Sequence, residues 1–183
     1  MAQPTKREAM PRERRLRSNA LTTAKQWVLA SRPEGTPASE NFRLEEVQLP
    51  ELSDGQILVE NTLSSVDPYM RGRMNDVESY VEPFQIDEPL NGAAVGTVTE
   101  SRSDKFKVGD TVRHFAGWRT HAVLNEDQVD QIDTTIAPAE AYLGILGLTG
   151  LTAYVGLTAV GEMKEGDVVF ISGAAGAVGS AAG

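Results

Sequence analysis

Short apolar segments alternate with turn residues from Lys25 to about Asp133, a pattern typical of β-strands joined by tight turns. Turn signals rich in Gly, Pro and Asp lie at residues 32–35, 53–55 and 107–110. The predicted strands are residues 27–30, 42–49, 56–65, 93–100, 111–115 and 120–124. Many short strands separated by Gly and Asp turns predict a partly closed β-barrel.

The pattern becomes helical after Asp133. Pro138 predicts a helix start that leads into residues 142–148, and residues 149–160 predict a second helix that ends at Gly161. Each of the three glycines in this short span costs about 1 kcal/mol relative to Ala within a helix. We therefore expect another backbone or a ligand to approach them closely.

The last residues combine an apolar segment with a glycine-rich turn. Residues 167–172 predict a buried parallel strand, and Gly173-Ala-Ala-Gly-Ala-Val-Gly179 follows it in the form A-x-G-x-x-G. Gly176 would let the main chain approach a pyrophosphate, and Gly179 would let the next helix pack tightly on the strand. The same small residues also suit plain strand-to-helix packing, so the motif alone leaves both interpretations open.

Composition removes several classes of chemistry. The 183 residues contain no Cys, which excludes disulfides, thiolate metal sites and Cys nucleophiles. His114 and His121 are the two imidazoles, and we interpret each as a strand or loop residue, so no metal is expected. The sequence has no apolar run that could span a membrane and no signal peptide, which predicts a cytoplasmic protein without membrane contact.

Charge is distributed unevenly. Residues 1–24 carry six basic and two acidic side chains together with Pro4 and Pro11, which predicts a basic, disordered extension. Residues 25–183 carry 11 basic and 24 acidic side chains, a net charge of −13. An acidic body argues against nucleic acid as a partner.

Five segments in this order resemble one superfamily. They are residues 27–33, 40–43, Ser65-Val-Asp-Pro-Tyr-Met-Arg-Gly-Arg-Met74, residues 146–154 and residues 173–179. Together they resemble the medium-chain dehydrogenase/reductase superfamily. The likeness is to its zinc-independent branch of leukotriene hydroxydehydrogenases, prostaglandin reductases, 2-alkenal reductases and curcumin reductases.

The resemblance implies a fold that is mainly β with α. It places a GroES-like, partly closed β-barrel domain at residues 25–137. Residues 138–183 would hold linking helices and the first strand and turn of a truncated α/β Rossmann domain that binds NAD(P). Zinc alcohol dehydrogenases carry a G-H-E triplet where this sequence has Asn91-Gly92-Ala93, so the resemblance is to the metal-independent enzymes.

The implied activity is reduction of the carbon–carbon double bond of an α,β-unsaturated aldehyde or ketone, an enone or alkenal. NADPH is the expected cofactor, with NADH left open, and the full-length protein is expected to be a homodimer. Because the resemblance covers only an N-terminal half, we expect the 183-residue chain alone to be inactive.

The resemblance also assigns roles to residues. Tyr69 would donate a hydrogen bond to the substrate oxygen, and Tyr80 would meet the substrate; the alternative for Tyr69 is a buried phenol that merely finds a partner. Thr149 would reach the cofactor or cap a helix. The expected cofactor-binding residues are Pro68, Tyr69, Thr149, Gly173, Ala174, Gly176, Ala177, Val178 and Gly179.

Three further interpretations stay open at this point. Arg71 and Arg73 could hold an anion, although pairing with local acids such as Asp76 and Glu78 is favoured. The protein could be a quinone reductase of the same superfamily. It could also be a non-catalytic interaction protein built on the barrel.

Overall fold

The computed structural model describes residues 22–183, and its strands are all antiparallel. A two-stranded ribbon pairs β1 with β2, and a five-stranded sheet has the order β6-β3-β4-β5-β7. The strands are β1 Thr23–Leu29, β2 Phe42–Gln48, β3 Gln56–Ser64, β4 Ala94–Ser101, β5 Thr111–His114, β6 His121–Asn125 and β7 Asp130–Gln131. The six predicted strands are confirmed, whereas β7 is too short and polar to show a strand pattern.

The first strand begins earlier than the sequence predicted. Thr23 and Ala24 belong to β1, and Ala24 is buried, so the predicted extension of residues 1–24 is wrong at its last two positions. The sequence predicts this strand only from Trp27, because the polar residues Lys25 and Gln26 interrupt the apolar pattern before it. Residues 1–21 of that predicted extension lie outside the described residues.

The ribbon and the sheet are joined at one corner, which produces the partly closed barrel. The Trp27 backbone N–H donates to the Trp118 carbonyl at 2.9 Å, and Gln26 forms an isolated bridge with Arg119. The strands of the described region do not form one continuous ring, as expected for a partly closed GroES-like domain. This mainly β fold is the one that the sequence predicted.

Two apolar clusters form the interior. One fills the sheet with side chains such as Ile57, Val59 and Val112, all fully buried, and burial of each stabilises the fold by about 1.5–3 kcal/mol. The other lies between the ribbon and the first helix, around Leu29 and Leu90. Tyr69 and Trp118 pack on this second cluster, which places both beside the barrel opening.

Residues 22–183 contain three short α-helices, the first between β3 and β4 and the other two after the barrel. They are α1 Tyr69–Arg73, α2 Leu148–Val155 and α3 Ala177–Ala182. A π-helical turn, Gly156–Val160, extends α2 to Gly161, as predicted, and a 3₁₀ helix, Ala139–Leu143, starts after Pro138. No helix within residues 22–183 is both long and apolar enough to cross a bilayer.

The helix predicted over residues 142–148 is wrong beyond Leu143. The chain turns there instead, because glycines allow its backbone to fold onto itself. A Cβ on Gly147 would overlap the carbonyl of Tyr142, and a Cβ on Gly150 would overlap that of Ile145. Close backbone approach is therefore present at Gly147 and Gly150, from the same turn of the chain, whereas a Cβ on Gly144 would meet only ordinary contacts.

The strand predicted over residues 167–172 is also wrong. The structure has no strand there, and Val168 and Phe170 are 98% and 90% exposed. A parallel strand is stabilised by neighbouring strands and by helices on both faces. Residues 22–183 supply no parallel strand with which this segment could pair.

Candidate functional site

Tyr69 is held by a rigid turn at the end of β3. Pro68 has a φ of −56° and precedes the first residue of α1, a position that suits proline because its φ is already helical. The Met70 backbone N–H donates to the Asp67 carbonyl at 3.0 Å, and Ser65 Oγ donates to the Asp67 carboxylate at 3.0 Å. This turn fixes where the phenol points.

The phenol of Tyr69 has no hydrogen-bond partner. Its oxygen is fully buried, and burial, followed by the charge of Asp67, raises its pKa above the ordinary value. The hydroxyl therefore stays protonated and can donate at neutral pH. Its ring stacks on Phe115, with centroids 6.4 Å apart and planes at 16°. The interpretation of Tyr69 as a phenol with a structural partner is not supported.

Trp118 supplies a second buried donor without a partner. Its indole Nε1 and the Tyr69 hydroxyl are the two side-chain polar atoms of residues 22–183 that are buried and unpaired. Each lies 3.6 Å from the point where a Cβ on Gly92 would stand. An unsatisfied buried polar group costs about 1–3 kcal/mol, so this pair calls for an explanation.

The loop that carries Trp118 is strained and firmly supported. Trp118 has a φ of +60°, which is unfavourable for a non-glycine residue. Asn61 Nδ2 donates to the carbonyls of Ala116 and Arg119, both at 2.9 Å. These bonds from β3 hold the loop in the strained conformation.

The sequence did not indicate Trp118 as a site residue. The available signal was a large aromatic residue after Gly117, in a short turn between two predicted strands. Gly117 donates to the Gly92 carbonyl at 3.0 Å, and a Cβ on Gly117 would come within 2.9 Å of that oxygen. The residues where zinc enzymes carry a ligand are therefore packed directly against the Trp118 turn.

Arg73 is buried beside the phenol without an acidic partner. Its guanidinium donates to the Glu82 carbonyl and to the Asn91 side chain, and it lies 4.0 Å from the centre of the Phe84 ring. Burial lowers its pKa. Its charge is thus held by neutral groups.

The predicted pairing of Arg71 and Arg73 with Asp76 and Glu78 is wrong. Arg71 donates to the Gly35 carbonyl at 2.7 Å, and Asp76 pairs instead with Arg32 at 3.5 Å. Backbone carbonyls and asparagine side chains accept the hydrogen bonds of both guanidinium groups, an arrangement that residue type alone does not reveal.

A cavity of about 250 Å³ opens over α1. It is lined by Pro68, Tyr69, Arg73 and Tyr80, with loop residues up to Pro83 on the other side. Tyr80 is 88% exposed at its rim. The structure thus brings the two predicted tyrosines to one cavity, where Tyr80 is the exposed member of the pair.

A larger cleft of about 540 Å³ separates the barrel from the C-terminal helices. Ser65 and Asp67 line the barrel side, and Thr149, Ala177 and Ser180 line the other. Thr149 is the second residue of α2, where Gly147 holds the N-cap position and no side chain caps the helix. The helix-cap interpretation of Thr149 is therefore wrong, whereas its place in the cleft agrees with a cofactor contact.

The glycine-rich turn has the tight geometry that its sequence indicated. The Gly176 N–H donates to the Gly173 carbonyl at 2.8 Å, and α3 begins at the next residue. A Cβ on Gly179 would overlap the Gly173 carbonyl. Ala174 lies exposed in the turn, and Val178 is 41% exposed on α3.

The two histidines do not lie in this site. His114 is buried in the sheet, with Nε2 2.9 Å from Asn61 Oδ1, and His121 lies on β6. No group of three or more His, Cys, Asp or Glu within residues 22–183 is arranged to hold a metal.

Comparison with known proteins identifies the family to which this fold belongs. The sequence profile of the N-terminal domain of oxidoreductase matches residues 25–132, and the chain belongs to that family. The resemblance to the zinc-independent branch is confirmed, because its relatives include proteins named curcumin reductase, 2-alkenal reductase and prostaglandin reductase.

The most informative relatives span the same region of the chain. YfmJ of Bacillus subtilis, named as an NADP-dependent oxidoreductase, is 49% identical over 164 residues, which are 89% of this chain and 48% of the relative. The NADPH-dependent curcumin reductase of Escherichia coli is 40% identical over 159 residues, 87% of this chain and 46% of that protein. The chain thus spans about half the length of the curated relatives it matches.

A solved structure agrees with the fold. CurA of Vibrio vulnificus, in its complex with NADPH, superimposes with a TM-score of 0.79 at 41% identity. The match covers 87% of this chain and 47% of CurA.

Proposed function

We propose that this chain forms the substrate-binding half of an NADPH-dependent reductase of conjugated carbon–carbon double bonds in enones or alkenals. The observation that carries the proposal is the Tyr69 phenol, whose hydroxyl is buried, protonated and unpaired, on a residue that lines the cavity over α1. Such a group is a hydrogen-bond donor held ready for a ligand oxygen. The names of the relatives support the same activity and cofactor.

The cleft between barrel and C-terminal helices fits NADPH. Ser65 to Asp67 lead directly into Tyr69, so a nicotinamide lying along them would be next to the phenol. Thr149 faces it from α2, and the turn from Gly173 to Gly176 offers backbone to a pyrophosphate. When bound, NADPH would supply the hydride for the β-carbon of the substrate.

The residues of the chain would act on the other end of the conjugated system. Negative charge develops on the carbonyl oxygen as the double bond is reduced, and Tyr69 would stabilise it by donating a hydrogen bond. Arg73, buried in the same cavity with no carboxylate partner, would strengthen this effect electrostatically. Tyr80 at the rim would contact the body of the substrate.

A quinone reductase is the competing oxidoreductase, and a comparison of substrates separates the two. We suggest a chimera that joins this chain to the second half of CurA, with CurA itself as the positive control. Faster NADPH oxidation with benzylideneacetone than with a benzoquinone supports the proposal, and the reverse order overturns it. Tyr69→Phe should slow the enone reaction, and Tyr154→Phe, at a residue 68% exposed on α2, is the matched control.

If the chimera oxidises NADPH with neither substrate while CurA is active, the barrel-based interaction protein is favoured. We expect the 183-residue chain without a second half to be inactive, since it spans only about half the length of its curated relatives. Dimerisation of a complete protein stays a separate prediction, to be measured by light scattering.

A further inference from the structure

The unpaired donors of Tyr69 and Trp118 converge on one small volume beside Gly92. Both atoms lie 3.6 Å from the position of a Cβ on that glycine. Any other residue at this position would place carbon between the two donors. Gly92 has no positive φ, so the backbone itself does not require glycine here.

The methyl group of Met70 fills this volume in the structure. Its Cε would overlap a Cβ on Gly92, and the Met70 side chain is 4% exposed. An apolar methyl cannot accept a hydrogen bond, so it leaves both donors unsatisfied. Methionine is unbranched and has several rotatable bonds, which makes it the side chain best suited to move aside at low cost.

We propose that the Trp118 indole N–H is a second hydrogen-bond donor to the substrate carbonyl oxygen, paired with the Tyr69 hydroxyl in a pocket that Met70 vacates. This inference rests on the proposed function and names a residue for the same site. A carbonyl oxygen has two lone pairs, and two donors hold it more firmly as negative charge develops. A saturated ring or alkene without a carbonyl gains nothing from either donor.

The surrounding contacts fit a positioning role for the loop. Trp118 keeps its unfavourable φ because several hydrogen bonds hold the loop, including those from Asn61. The Arg119 side chain donates to the Leu90 carbonyl at 2.9 Å, and the Trp118 backbone N–H donates to Ser64 Oγ at 3.4 Å. Strain kept in place by several bonds is characteristic of a functional position. The same loop stacks Phe115 on the Tyr69 ring, so one turn orients both donors.

Nuclear magnetic resonance of the 183-residue chain tests the inference without turnover. The chain has two Trp, so an isotope-labelled sample gives two indole N–H signals, assigned with Trp27→Phe and Trp118→Phe. Benzylideneacetone should shift the Trp118 indole signal and the Met70 methyl signal. β-Methylstyrene, which has a similar skeleton without the carbonyl, should shift the indole signal much less.

The affinity of variants for benzylideneacetone provides a second test of the inference. Trp118→Phe removes one donor and keeps an aromatic ring, and we expect it to weaken benzylideneacetone binding roughly threefold to tenfold. Trp27→Phe, the matched control at a residue 40% exposed, should leave binding unchanged. A Trp118 signal that is unmoved at saturating benzylideneacetone, or equal affinity after Trp118→Phe, overturns the inference.

The two proposals fail separately. If the chimera with CurA reduces the double bond equally well with and without the Trp118 indole N–H, the second donor is refuted and the reductase function stands. If the chimera does not reduce the double bond at all, the proposed function itself fails.

Discussion

The Nε2 atom of His114 lies 2.9 Å from Oδ1 of Asn61 in the interior of the five-stranded sheet. His114 Nδ1 accepts a 3.0 Å hydrogen bond from the Ala116 N–H, so the proton is on Nε2 and the ring is neutral. Asn61 in turn binds the loop of Trp118 through its amide. A neutral histidine thus supports the turn that orients the candidate donors.

This arrangement predicts acid sensitivity. Burial, assisted by the charge of Arg119, lowers the pKa of His114 from 6.5 to about 4. Between these values the unfolded chain binds a proton that the folded chain does not, so stability is greatest above pH 6.5 and falls as the pH drops towards 4. The contribution of this one group is about 3 kcal/mol.

Chemical denaturation across this pH range checks the prediction. His114→Gln should flatten the dependence of the unfolding free energy on pH, whatever its effect on the absolute stability. His121→Gln, on strand β6, removes the other imidazole and is the matched control. An unchanged slope in His114→Gln would show that other groups produce the acid sensitivity.

Gly92→Ala should separate folding from ligand binding. The new methyl group would force Met70 to move and would occupy the volume beside the two donors, at a cost of about 1–3 kcal/mol from overpacking. We expect a folded variant with strongly reduced affinity for benzylideneacetone. Gly156→Ala, at a helical glycine with open space around it, is the control and should bind normally. Full binding by Gly92→Ala would contradict the assigned pocket.

Gly179→Ala should disturb the proposed cofactor turn. Its Cβ would overlap the Gly173 carbonyl, so α3 must move away from the turn. In the chimera with CurA we expect weaker NADPH binding, measured by calorimetry, with little change in the unfolding of the barrel. Gly156→Ala again serves as the control. Unchanged NADPH affinity would mean that the turn is a packing element only.

The exposed apolar residues of the C-terminal segment predict self-association. Val168 and Phe170 are almost fully exposed, and Ile145 and Leu148 are each 56% exposed. Such a surface is unusual for a monomer in water. Light scattering should show concentration-dependent association of the 183-residue chain, reduced by Phe170→Ser. Val108→Ser, at an exposed position in a turn of the barrel, is the control. A monomer at high concentration would contradict this prediction.

The sequence predicted the barrel well because its strands carry local signals. The short apolar runs of β3 and β4, and glycine turns such as that at Gly109 with a φ of +96°, depend on neighbours along the chain. The prediction of a strand at residues 167–172 was wrong because a parallel strand depends on partners that are distant in sequence. Its pattern was correct for a parallel strand, but a strand forms only where partners exist.

The candidate site was predictable only in part. Tyr69 was found because a proline and a specific motif surround it. Trp118 was missed because its significance lies in contacts with Gly92 and Met70, which are distant in sequence and meet only in the folded chain. Burial of an unpaired atom is a property of packing and leaves no pattern in the sequence.

Transfer of deuterium tests the central claim most directly. The chimera with CurA is supplied with benzylideneacetone and with NADPH deuterated at the position of the transferred hydride, and the product is analysed by nuclear magnetic resonance. Deuterium on the β-carbon of a saturated ketone, at a rate reduced in Tyr69→Phe but not in Tyr154→Phe, is the predicted result. Deuterium on the carbonyl carbon of an alcohol, or no transfer while CurA is active, would contradict the account.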